Sequence, residues 1–93
     1  MGARYQELAG LDAAYHLPTY ARKPVLFVRG EGMRLYDDDG REYLDFLSGI
    51  GVVNLGHAHP AVADAVDAQM RTLVHVSNLY HVEHRAALAE RLS

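Results

Sequence analysis

Val25-Leu26-Phe27-Val28, Met33-Arg34-Leu35-Tyr36 and Arg41-Glu42-Tyr43-Leu44-Asp45-Phe46 decide how this chain folds. All three are short runs that carry apolar and aromatic residues. Arg29-Gly30-Glu31-Gly32 and Asp37-Asp38-Asp39-Gly40 separate them and supply turn residues, so the spacing predicts a three-stranded antiparallel meander. Side chains alternate along a strand, which puts Leu44 and Phe46 on one side of the third run and Tyr43 and Asp45 on the other. Leu44 and Phe46 are expected to face the core. The acidic turn at 37–40 fails as a calcium loop, because Leu35 stands where an alternate oxygen ligand is needed, and it reads as a hairpin turn.

Upstream, Tyr5, Leu8, Leu11 and Tyr15 recur at helical spacing and predict a helix over 4–15, weakened by Gly10 and Asp12. Leu17 to Pro24 is a connector, since each proline biases its predecessor toward extended geometry. Downstream, Gly49, Gly51 and Gly56 bracket Val52-Val53-Asn54. They serve either a tight strand-to-helix turn or the close approach of backbone to a ligand, and residue physics alone leaves the two readings level. Pro60 suits the first turn of a helix and His59 precedes it as the cap. Val62, Val66, Met70 and Leu73 then form an apolar stripe, with Asp67 and Arg71 paired on the opposite face. Leu88 and Leu92 predict a further helix starting near Glu83, still running where the sequence ends, so the end reads as a cut.

These elements make an α+β segment: an N-terminal helix, a three-stranded meander, a helix and the start of another. At 93 residues the chain is one small domain or a piece of a larger one. A formal charge of −3 with scattered Lys and Arg argues against a nucleic-acid partner. No apolar run is long enough to cross a bilayer, and the first residues carry no recognisable targeting signal. Cysteine is absent, which removes disulfides and thiolate metal sites and is compatible with the cytoplasm. Metal ligation by His57 and His59, or by His81 and His84, falls short of the three or four converging ligands a zinc site needs. Capping and packing are the preferred roles for the first pair, and an exposed helix start for the second.

Asn54-Leu55-Gly56-His57-Ala58-His59-Pro60 is entered through Tyr43-Leu44-Asp45-Phe46-Leu47-Ser48-Gly49-Ile50 and left through Val74-His75-Val76-Ser77-Asn78-Leu79-Tyr80. This wording resembles the N-terminal part of class III aminotransferases, which use pyridoxal 5'-phosphate. The match runs from about Tyr20 to Leu92, and its last stretch is most similar to the acetylornithine branch. The resemblance implies an α/β fold-type I enzyme, homodimeric and cytoplasmic. Residues 1–93 would supply part of the small domain and the start of the large one. It implies amino transfer from N-acetylornithine to 2-oxoglutarate in arginine biosynthesis by the full-length enzyme, with this segment inactive alone. Ornithine or 4-aminobutyrate as the donor, and a non-catalytic interaction module, stand as alternatives.

By the same resemblance the segment Ser48-Gly49-Ile50-Gly51 borders the substrate, with Ile50 an apolar wall that helps choose it. Tyr20 matches a tyrosine whose hydroxyl can donate to a substrate carboxylate; its other reading is a connector anchor with a wet hydroxyl. Ser77, Asn78 and Tyr80 fall where the family forms its dimer contact. No residue here is expected to be catalytic, and residues that would hold the cofactor are not identifiable in this stretch. The single lysine, Lys23, lies in a polar connector with nothing apolar to desolvate it. After Tyr80 the order His81-Val82-Glu83-His84 departs from the acetylornithine pattern and lacks its Thr and Pro.

Overall fold

The computed structural model describes residues 2–93, which divide into two units, one ending at Ala63 and the other spanning Asp64–Ser93. In the first unit the meander forms as predicted: β1 (Phe27–Glu31), β2 (Arg34–Asp37) and β3 (Glu42–Leu44), antiparallel in the order β1-β2-β3. β1 starts two residues later than expected and runs on through Arg29, Gly30 and Glu31, leaving Gly32 and Met33 as the turn. Its register with β2 slips between Phe27 and Arg29, a bulge that leaves Val28 unpaired.

Register assigns the two faces of the sheet. Tyr43 lies opposite Leu35, and Leu35 opposite Gly30. On this face Phe27 meets the Tyr43 ring edge-on at 5.3 Å. Leu44 lies opposite Arg34, and Glu42 opposite Tyr36. That second face is a charged lattice. Arg34 binds Glu42 at 2.6 Å, the Tyr36 hydroxyl donates to Glu42 at 3.0 Å, and the Arg29 guanidinium lies 3.7 Å above the Tyr36 ring. The expectation for β3 is therefore inverted: Leu44 and Phe46 are 59% and 84% exposed, while Tyr43 and Asp45 are half-buried. Both parities of 42–46 carry an apolar or aromatic residue, and the polar partners Arg34 and Tyr36 hold the other face open.

α1 (Ala3–Tyr15) begins one residue before its predicted start. Its half-buried positions are Tyr5, Leu8, Ala9 and Asp12, whereas Leu11 and Tyr15 are exposed, so the inward face is rotated from the one predicted. The Tyr5 N–H donates to Asp38 Oδ2 at 2.8 Å and ties this helix to the β2–β3 turn. Among the described residues no apolar side chain is fully buried; the one buried polar residue is Asp37, 7% exposed.

α2 (Ser48–Gly51) is helical by hydrogen bonding but left-handed by backbone, and leads to α3 (Pro60–Thr72). At the start of α3, His59 caps as predicted, its Nδ1 accepting the Ala61 N–H at 3.2 Å. The Asp67–Arg71 pair forms at 3.2 Å. Val62, Val66 and Met70 follow the predicted spacing along α3 and Leu73 lies one residue past its end, yet each remains exposed. In the second unit α4 (Arg85–Leu92) starts two residues after Glu83, with His84 before it at φ 72°. Among the described residues no helix is long and apolar enough to cross a membrane.

Candidate functional site

The site is built where β3 ends. Asp45 is held to the β1–β2 turn by its own N–H, which donates to Met33 O at 2.7 Å. Its carboxylate then organises the residues that follow. Oδ1 accepts the N–H groups of Leu47 at 2.8 Å and Ser48 at 2.9 Å. Oδ2 lies 2.6 Å from His57 Nε2. The Ser48 and Leu47 amides, then the His57 hydrogen bond, hold the Asp45 carboxyl below its ordinary value against the opposing effect of burial. An ionised carboxylate only accepts, so Nε2 carries the hydrogen of this bond.

His57 is fixed from three sides. Its backbone exchanges two hydrogen bonds with Gly32, at 2.8 and 3.0 Å, as an isolated antiparallel bridge. Its ring is flanked by Gly30, where an added Cβ would lie 2.7 Å from His57 Cβ. The preceding Gly56, at φ 89°, lets the chain pass so close to Gly32 that a Cβ there would meet Gly32 backbone atoms at 3.1 Å. The side chains of His57 and Asp45 are 19% and 8% exposed, so the pair is shielded on the sheet face that also carries Tyr43.

Between these anchors Ser48, Gly49, Ile50 and Gly51 all take positive φ: 49°, 63°, 61° and 77°. Val52 N–H and Val53 N–H both donate to Ser48 O, at 2.8 and 3.0 Å, closing one left-handed turn. Glycine adopts this conformation freely. Ser48 and the β-branched Ile50 do not, and each carries roughly 1–2 kcal/mol of strain. A conformation so costly persists only where its surroundings over-determine it, and such positions cluster at ligand sites. The turn presents Ile50 outward, 83% exposed.

The predicted site residues are thus distributed unevenly. Ser48 is half-buried and lines a cleft of about 350 Å³ with Asp45, His57 and Met33, while Gly49, Ile50 and Gly51 form the exposed rim of the turn. Tyr20 is exposed and lines a different cleft, of about 480 Å³, against α1, together with Arg22 and Lys23. In the second unit Ser77, at φ 77°, accepts the Leu79 N–H, and Arg85 bonds both Asn78 Oδ1 and Tyr80 O. Among the described residues no three metal-ligating side chains gather. Sequence reasoning missed Asp45 and the true role of His57. The available signal was an aspartate two and three residues before the amides it caps.

Residues 17–93 match the model of the family described as aminotransferase class III. The chain is 51% identical over 82 residues to an acetylornithine aminotransferase of Methanocaldococcus jannaschii, covering 88% of this chain and 21% of that protein. It is 57% identical over 75 residues to one of Gloeobacter violaceus, covering 81% and 19%. Among solved structures, an acetylornithine aminotransferase from Elizabethkingia anophelis superposes with a TM-score of 0.89 at 28% identity, over 95% of this chain and 22% of that one. A Plasmodium falciparum ornithine δ-aminotransferase does so at 0.87 and 31% identity, over 95% and 23%. The chain therefore spans about a fifth of the length of the curated relatives it matches. With a meander leading through a strained glycine-rich turn into a proline-led helix, and matched across nearly its whole length at this identity, the chain belongs to the class III aminotransferases.

Proposed function

We propose that this chain forms one wall of the substrate entrance of an acetylornithine-type aminotransferase, a cytoplasmic homodimer when assembled at full length. In this reading it supplies part of the small domain and the start of the large one. The observation that carries the amino donor is the identity of 51–57% to relatives that bear the acetylornithine aminotransferase name. The left-handed turn supports the role of the wall, because strain held in place by Asp45 presents Ile50 as a rigid apolar surface beside the incoming donor. Tyr20 serves the donor's polar end from the connector, its exposed hydroxyl available to a carboxylate.

The residues present do not fit the family's cofactor, pyridoxal phosphate. Lys23, the one lysine, is exposed on the connector and lines the α1 cleft, away from Asp45 and His57. The Schiff-base lysine and the phosphate contacts are accordingly assigned to polypeptide outside these 93 residues, and what this chain does is orient and select. The apolar stripe of α3 and the exposed Leu44 and Phe46 support such a placement, since they are surfaces that further polypeptide would cover.

A second reading, ornithine as the donor, is supported by the likeness to ornithine δ-aminotransferases, whose TM-score of 0.87 stands close to the 0.89 of the acetylornithine enzyme. The test is amino transfer to 2-oxoglutarate by the holoenzyme purified as its gene encodes it, with N-acetylornithine, ornithine and 4-aminobutyrate compared by kcat/KM. Preference for N-acetylornithine of tenfold or more supports the proposal. Preference for ornithine or for 4-aminobutyrate moves the assignment to that donor, and absence of transfer with all three removes it.

A further inference from the structure

We infer that Asp45 and His57 are a positioning pair for the amino donor, which the geometry assigns to fixing where the Ser48–Gly51 turn carries Ile50. The inference rests on the reading of that turn as the donor's wall. Neither side chain needs to touch the donor. The turn offers no apolar packing of its own, since Gly49, Ile50 and Gly51 are all exposed. Its handedness is therefore maintained by what holds its first residues. The Leu47 and Ser48 amides are both fixed by Asp45 Oδ1, and Asp45 Oδ2 is fixed in turn by His57 Nε2. His57 is itself clipped to the hairpin through Gly32 and backed by Gly30. A continuous chain of short contacts thus runs from the rigid sheet to the strained turn, and among the described residues His57 is its one side-chain link from beyond the turn.

Such a support acts on selectivity more than on stability. Letting the turn relax would move Ile50 by an ångström or so, enough to change the fit of one donor side chain relative to another by about tenfold. His57→Leu removes the N–H that Asp45 Oδ2 accepts, and His57→Gln keeps an N–H of similar reach. Gly30→Ala displaces the imidazole while leaving both members of the pair in the sequence, and guards against a His57→Leu protein that does not fold.

The experiment measures, in the holoenzyme, the ratio of kcat/KM for N-acetylornithine to that for ornithine, with hydrogen exchange over residues 45–53. His57→Leu and Gly30→Ala should shift the ratio by about tenfold and speed exchange in the turn, His57→Gln should restore both, and on an Ile50→Ala background the shift in ratio should vanish. Loss of activity in equal proportion for both donors with unchanged exchange would overturn the pair's role. Unchanged exchange in His57→Leu overturns it even if Ile50→Ala alters selectivity. An Ile50→Ala protein with an unaltered ratio overturns instead the wall reading on which the inference depends.

Discussion

Asp37 and Asp45 are wired alike, eight residues apart on one face of the sheet, yet they do different things. In each, Oδ1 accepts two nearby backbone N–H groups, from Asp39 and Arg41 in one case and Leu47 and Ser48 in the other. In each, Oδ2 accepts one side-chain donor, the Tyr43 hydroxyl at 3.0 Å or His57 Nε2 at 2.6 Å. The partner makes the difference. Tyr43 is a neighbour across the same hairpin, and the turn Asp37 closes has only a glycine, Gly40, at positive φ. His57 arrives from beyond the turn, and the turn Asp45 closes forces Ser48 and Ile50 into the left-handed region. One carboxylate completes a relaxed hairpin, and its twin keeps a strained one from relaxing.

The sharpest way to break this contrast is Gly56→Ala. The new Cβ meets the Gly32 backbone and the residue is held at φ 89°, so the His57 clip is lost and stability should fall by about 3 kcal/mol in chemical denaturation. A loss under 1 kcal/mol would mean that the bridge to Gly32 contributes little. Next in size is the exchange of roles between the two aspartates. Asp45→Asn should change the donor ratio of the full-length enzyme several-fold, whereas Asp37→Asn should lower its melting temperature and leave that ratio alone. Equal effects of the two on selectivity would erase the distinction.

Ile50→Gly sharpens the comparison from the other side. Glycine relieves the left-handed strain but adds chain entropy to the unfolded state, so the variant should gain about 1 kcal/mol of stability while losing donor discrimination. Denaturation and kinetics on the same sample check it, and a destabilised variant would show that the turn is not strained.

The smallest effect lies in acid. For Asp37, burial raises the pKa, but hydrogen bonds from the Arg41 amide, the Tyr43 hydroxyl and the Asp39 amide, with the Arg41 charge, outweigh it and leave the carboxyl below its ordinary 3.8. Asp45 is lowered too. Both groups therefore hold their protons less readily folded than unfolded, so their contribution is complete above 3.8 and is lost as pH falls through the lower, folded pKa values. Stability measured from pH 5 down to 2 should decline, less steeply in Asp37→Asn and in Asp45→Asn than in the parent.

Local chemistry was legible in the residues themselves. The acidic turn at 37–40, the proline-led helix, the His59 cap and the Asp67–Arg71 pair all follow from neighbours within four positions. What depended on distant partners was not. Tyr43 and Leu44 compete for the inner face, and the tie is settled by Arg34 and Asp37 from another strand. Gly49 and Gly51 announced a special backbone, but nothing in Ser48 or Ile50 says that they follow. His57 looked like a second cap beside His59, because its carboxylate partner stands twelve residues away.

The bulge at Val28 has a consequence for this chain in company with itself. A three-stranded sheet has two open margins, and this one carries bare apolar side chains beside them. An unbroken outer strand would be a template on which further copies could zip into fibrils. The slipped register of β1 kinks that margin, β3 is only three residues long, and glutamates stand at the end of the first and the start of the second. Misassembly by strand addition is thus discouraged in the backbone, whatever the adhesiveness of the side chains.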